Sequence, residues 1–335
     1  MRKYTWLIGL FVLFAWACGD NDDDFKPFGG ERNWLVVEDS DDPIDAQRYR
    51  IFRNTGVPVY YNDTIGSETR YTLATGEPYT YYEVLQVFYS PGSVTPGKLQ
   101  ANYTLVRDRD RVKPVLDFLE TDALPRVPES VYLPSILLVD SLKTPSGDTI
   151  AYKGLNTIVL SKVKDFDKVD QKLYRGVFLA TLVANTLAIS DGEWLEDYFY
   201  AITYRVNPTN KSYMYSTGDK VVGTAVYKAY VGLDVPAEEQ TLGGLGFIGT
   251  YRKPSGSAER MWEVPSKSQD VRQYCIEIFA NTEAEFTAKH GQYPVVMEKS
   301  IPSYSGNTKF LPNIRTIEQN RMLSIKTTIN SKTYE

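Results

Sequence analysis

DQKLYRGVFLATLVANTLAI, residues 170–189, is the stretch on which the fold turns. It contains no proline, and Gly176 is its only glycine. Apolar residues fall at 173, 177, 178, 180, 182, 183, 184 and 187. That spacing is helical and apolar nearly all round, which predicts a buried helix rather than a surface one. Upstream, Val131–Asp140 and Thr149–Ser161 are strongly apolar and are separated by the turn cluster Thr144-Pro145-Ser146-Gly147-Asp148, so an antiparallel pair is expected. Further upstream, Asp41, Asp42 and Pro43 form a helix start, the helix running to about Asn54 with Thr55-Gly56 as its stop. Val57–Tyr61 reads as a short strand, residues 79–89 fit either type, and a helix is expected around Arg109–Thr121. Downstream come an aromatic helix over Glu193–Val206, a Gly-, Pro- and Ser-richer stretch over 207–268 with short helices at 220–230, and a third good helix over Gln269–His290 ended by Gly291. Strands, then a buried helix, then mostly helices make an α+β chain with strands and helices segregated.

The N-terminus reads as an address. Arg2 and Lys3 precede an apolar run from Trp6 to Trp16, which is too short to span a bilayer and fits a signal peptide over residues 1–17. Ala15-Trp16-Ala17-Cys18 resembles a lipobox, which makes Cys18 the expected lipidation site; the plain alternative is a secretory signal with a chance cysteine. Residues 18–33 form an acidic tether around Asp20-Asn21-Asp22-Asp23-Asp24, without the alternating ligands and distal glutamate of a calcium loop. The acidic cluster after Cys18 resembles a surface-export signal. The expected location is therefore the outer membrane, held through a lipid anchor and exposed at the cell surface.

Composition removes several classes of function. The 335 residues include 37 basic and 42 acidic side chains, a formal charge of −5 that argues against nucleic acid as a partner. One histidine excludes a His-rich zinc site, and two cysteines exclude a disulfide framework. Once Cys18 is lipidated, Cys275 is the remaining thiol, and its flanks Tyr274 and Ile276 suggest a buried, inert residue. A count of 25 tyrosines against 14 phenylalanines points to many rings with one polar end in water.

Several segments in order resemble one family, the zinc-binding metallopeptidase-like lipoproteins of Bacteroidota. They are Tyr49–Phe52 through Thr55–Thr64, Gly154–Leu160, the central helix, Gly246-Phe247-Ile248, and Tyr293–Lys299, which looks like the family's closing helix. The resemblance implies a zincin-like domain over residues 34–299, a twisted, mostly antiparallel sheet with a buried central helix and a mostly helical C-terminal lobe, and leaves 300–335 as an unassigned tail. Active members are expected to carry HExxH on the central helix, two histidines holding zinc and the glutamate activating water. Here Ala180-Thr181-Leu182-Val183-Ala184 stands at that place, with alanine at both ligand positions and threonine at the base. The third helix offers Asp270 and Glu277, but a catalytic zinc needs three protein ligands. The expectation is a site without metal or cofactor: Ala180 and Ala184 on one face toward Asp270 or Glu277, the volume filled by apolar groups, and Leu182 or Val183 on the opposite face.

Other constellations have plainer readings. His290 in Lys289-His290-Gly291 is expected to cap a helix C-terminus at the surface. Gly244-Leu245-Gly246-Phe247-Ile248-Gly249 matches a dinucleotide fingerprint by letters, but no helix follows, so a flexible loop is expected. Glu193, Glu196 and Asp197 lie beside Trp194 and Tyr198, as a glycosidase would require, or simply start a helix. Trp194, Tyr198, Tyr79 and Tyr81 are candidate stacking platforms for a glycan, with packing at the edge of the core as the alternative. The expected role is a non-catalytic accessory protein binding a glycan or a protein, or a polysaccharide-binding component of an outer-membrane uptake system.

Overall fold

Asp42 accepts hydrogen bonds from the backbone N–H groups of Ile44 and Asp45, and Pro43 opens helix α1 (Pro43–Thr55). Gly56 closes it in the left-handed region at φ 73°, where a side chain would strain the backbone. The structure, a computed structural model, describes residues 33–85, 87, 102–128, 131–144, 147–206, 220–222, 225–226, 242–249, 251–252, 262–263 and 265–304. The signal peptide, Cys18, most of the tether and the tail from 305 lie outside the described residues. All elements below belong to the compact unit Leu35–Glu335.

The chain is α+β. Strands β1 (Val59–Tyr60), β2 (Thr64–Tyr71), β3 (Pro78–Val84) and β4 (Asn102–Leu105) precede helix α2 (Val112–Phe118), which a 3-10 turn opens and a π-helical turn extends to Ala123. Then come β5 (Ile136–Thr144), β6 (Gly147–Asp148), β7 (Ala151–Lys153) and β8 (Ile158–Leu160). The expected antiparallel pair is only partly right. Lys143 and Thr144 do turn back onto Gly147 and Asp148, but the second apolar segment breaks into a β7–β8 hairpin, and β8 runs parallel to β5. The break lies at Gly154, where a Cβ would meet the carbonyl oxygen of Val87 at 2.7 Å. Strand β1 is also parallel to β5, so the innermost pairs of the sheet are parallel while β4, β6 and β7 add antiparallel partners.

Alternation explains why β5 is a continuous apolar run. Ile136 and Leu138 enter the main core with α1, α2 and α3, while Leu137 and Val139 join Tyr60, Leu85 and Val159 on the other face. A strand buried on both faces has no polar side to show. Strands β2 and β3 form a separate two-stranded sheet.

Helix α3 (Gln171–Ser190), N-capped by Asp170, lies in the main core. It is long and apolar enough to cross a membrane, but here it packs inside the fold. The aromatic segment after it is helical, as expected, through α4 (Gly192–Trp194), a π-helical stretch Leu195–Tyr200, and α5 (Ala201–Val206). The short helices expected at 220–230 are instead strands, β9 (Lys220–Val222) and β10 (Ala225–Val226), in a four-stranded antiparallel sheet with β11 (Tyr251–Arg252) and β12 (Trp262–Glu263). The third helix is two, α6 (Lys267–Ala280) and α7 (Glu283–His290). Thr282 and Glu285 form a capping box that starts a new helix inside the expected one. Helix α8 (Pro294–Tyr304) closes the described chain and runs through residue 299, the expected domain boundary.

Candidate functional site

The site predicted from sequence lies where α3 meets α6. Gly176, Ala180 and Ala184 recur every four residues, which places them along one helical face. At Gly176 a Cβ would come within 2.5 Å of the Ile276 carbonyl oxygen and 3.0 Å of the Ala280 Cβ. Small residues on this face let α6 approach at backbone distance. Ala180 is sealed from solvent, and Ala184 is half-buried against the main core. Leu182 and Val183 are both buried as well. Arg175 bridges the two helices from Asp122 (2.8 Å) to the carbonyl oxygens of Phe279 (2.8 Å) and Ala280 (3.0 Å), which caps the C-terminus of α6. Further along α3, Arg272 of α6 reaches Thr181 Oγ1 at 3.4 Å. The contacts move up α3 as they move down α6, so the helices are antiparallel.

The two acidic positions of α6 serve different networks. Asp270 is fully buried and accepts a hydrogen bond at 2.7 Å from Lys299 of α8, which is also fully buried. Lys299 Nζ donates in addition to Thr203 Oγ1 (3.0 Å) and the Gly246 carbonyl oxygen (2.8 Å). The rings of Phe199, Tyr274 and Phe247 surround the ammonium at 4.2, 4.7 and 5.5 Å from their centroids. Burial pushes Lys299 below the ordinary lysine value, and the Asp270 charge opposes that shift. Glu277 lies near the other end of α6. Its Oε2 accepts from Asn281 Nδ2 (2.9 Å) and Lys289 Nζ (3.2 Å) and lies 3.6 Å from His290 Nε2. Those neighbours, His290 first and Lys289 next, hold its carboxyl below the usual glutamate range despite its burial.

This donor set does not fit a catalytic zinc. The central helix supplies two methyl groups and a hydroxyl that donates to the Val177 carbonyl oxygen at 2.7 Å. Asp270 is neutralised by an internal ammonium, and Glu277 is engaged at the far end of the helix. Among the described residues no group of three or more His, Cys, Asp and Glu side chains is placed to hold a metal ion.

The remaining candidates fall at separate places. His290 stands in the last turn of α7, as expected, but is half-buried rather than at the surface, and its ring packs against Phe286 at 4.7 Å. The glycine-rich segment is an ordered turn rather than a flexible loop. Phe247 is buried, Gly246 takes φ 84°, and the Gly246 carbonyl oxygen serves both Lys299 and the Tyr274 hydroxyl. Trp194 and Tyr198 stack on each other at 6.0 Å, and Tyr198 is exposed. Of the neighbouring carboxylates, Glu196 is held by Lys267 at 2.6 Å, while Glu193 and Asp197 are exposed.

On the β2–β3 hairpin, Tyr81 lies under the Arg70 guanidinium at 3.3 Å and donates to Glu83 at 2.7 Å. Tyr79 is exposed on the same face, opposite Arg70. The other face carries Ser67, Thr69 and Tyr71 facing Tyr82, Thr80 and Pro78, with all six exposed and none charged. Cys275 is fully buried, and burial pushes its thiol up to about 12.

Sequence reading did not find Lys299, Thr203 or Arg272. Lys299 stands two residues beyond Met297 on an apolar helix, and its carboxylate partner is 29 positions away. No family model, curated protein or solved structure matches the chain.

Proposed function

We propose that this chain is a lipid-anchored, surface-exposed accessory protein of the outer membrane that binds a ligand without catalysis, built on a zincin-like domain whose metal site has been lost. The observation that carries the reading is the Asp270–Lys299 pair: an acidic residue at the position expected to face a metal instead holds a buried ammonium. Ala180, Thr181 and Ala184 on the facing helix supply no imidazole or carboxylate. The test is metal analysis of the purified full chain after dialysis against a chelator. Substoichiometric zinc is expected, and one tightly retained zinc per chain would overturn the reading.

A second reading, glycan binding for an uptake system, is favoured by the β2–β3 hairpin. Its uncharged face presents tyrosine rings and hydroxyls at positions 71, 82, 67, 69 and 80, the chemistry that stacks on sugar rings and bonds their hydroxyls. Calorimetric titration with a panel of neutral polysaccharides should give heats that Tyr71→Ala and Tyr82→Ala abolish. Flat titrations across the panel would remove this reading and leave the first standing.

A further inference from the structure

Among the described residues, the arginines withdrawn from the surface hold carboxylates, with one exception. Arg48 pairs with Asp45, Arg70 with Glu68, Arg109 with Asp42 and Asp45, and Arg126 and Arg175 with Asp122. Arg272 is also half-buried and forms no ion pair among them. Its one polar contact there is the 3.4 Å approach of Nη2 to Thr181 Oγ1, long for a hydrogen bond. A guanidinium has five N–H donors in a planar fork and stays charged. Taking such a charge partly out of water without a counter-ion is costly, and burial indeed pushes Arg272 below its ordinary value.

We propose that Arg272 is the receptor for the carboxylate of a ligand, bound where Arg272 of α6 meets Thr181 of α3 at the partly exposed edge of the helix pair. The Thr181 hydroxyl hydrogen is given to the Val177 carbonyl oxygen at 2.7 Å, so its oxygen faces Arg272 as an acceptor only. Thr181 thereby meets one edge of the guanidinium at the long end of hydrogen-bond range and leaves the remaining N–H groups for the ligand. Both residues are half-buried rather than sealed from solvent. A planar monoanion matches the fork in bidentate geometry. One guanidinium in a chain of net charge −5 favours a single negative charge over a dianion. This inference rests on the non-catalytic, ligand-binding reading given above.

The test uses the full chain in detergent, labelled with nitrogen-15 at arginine and titrated with sodium acetate against sodium chloride at equal ionic strength. The Arg272 Nε–H signal, identified by its loss in Arg272→Lys, should shift saturably with acetate and not with chloride. Signals of Arg48, Arg109 and Arg175, already paired, should stay in place. Thr181→Val should weaken the acetate response about fivefold, the worth of one hydrogen bond, and Thr181→Ser should restore it with the fold intact by melting temperature. An Arg272 signal that ignores acetate, or tracks it no better than chloride, overturns the proposal. Retained zinc with an intact acetate response would instead overturn the non-catalytic reading alone.

Discussion

Lys299 and Asp270 meet at 2.7 Å with neither side chain exposed to solvent. The pair fastens α8 to α6, and the further bonds from Lys299 to Thr203 and Gly246 draw in α5 and the glycine turn. All three protons of the ammonium therefore have acceptors, which offsets the cost of burying the charge.

Removing one partner should be far worse than removing both. Lys299→Met leaves a buried carboxylate without its cation and should cost about 3–5 kcal/mol in urea unfolding. Adding Asp270→Asn to that variant should recover part of the loss, because no net charge then remains buried. Equal stability of the single and double variants would mean that Asp270 is solvated in the single one.

Acid should weaken the junction of α6 and α7. Glu277 is held below its ordinary value of 4.5 by His290 and Lys289. A depressed carboxyl contributes stability that is fully present above its unfolded value and is lost as pH falls through its folded value. Stability of the native chain should therefore decline below about pH 4.5, and Glu277→Gln should flatten that acid limb. Its partners are partly exposed, so the difference at neutral pH should be at most about 1 kcal/mol. An unchanged pH profile in Glu277→Gln would assign the acid limb to other carboxylates, such as Asp117 and Glu120, which are also depressed.

The Cys275 thiol should be silent in the folded protein. It is fully buried, and its ionisation is pushed up to about 12, so the reactive thiolate is scarce at neutral pH. A thiol reagent under mildly alkaline conditions should label it only after denaturant is added, and labelling should follow the unfolding transition. Rapid labelling of native protein would show that α6 opens locally.

What could be read in the sequence was local. Asp42-Pro43 and Gly56 announce both ends of α1, and Asp170 with the apolar periodicity after it announces α3. The split between α6 and α7 was also legible, since Thr282 and Glu285 have capping-box spacing, but the continuous helical pattern masks it. The β2–β3 hairpin was only half legible, residues 79–89 fitting either type, because of the two strands only Ile65 packs against the core and no apolar alternation marks them. The parallel pairing of β5 with β8 and the meeting of Thr181 with Arg272 join residues distant in the chain, and no local pattern encodes which segments pair. The alanines at 180 and 184 looked like erased ligands; with Gly176 they also form the small-residue stripe that close helix packing requires.

That stripe leads to a prediction of opposite signs at two glycines. A methyl group at Gly176 would lie 2.5 Å from a backbone oxygen of Ile276 and 3.0 Å from the Ala280 Cβ. Neither can swing away as a flexible side chain could, so α3 and α6 must separate. Separation would also stretch the Arg175 bonds to Phe279 and Ala280, which depend on the same spacing. Overpacking of this kind costs about 1–3 kcal/mol, so Gly176→Ala should destabilise the chain by that amount despite the better helix propensity of alanine. Gly192, at the first position of α4, has open space where a methyl group would stand, with nothing within 4 Å, and no positive φ. Gly192→Ala should therefore stabilise by about 0.4–1 kcal/mol, because it restricts the unfolded chain without a clash. Urea unfolding of both variants checks the pair. If Gly176→Ala proves neutral or stabilising, the two helices are not in backbone contact, and the seam that positions Arg272 against Thr181 is wider than these distances require.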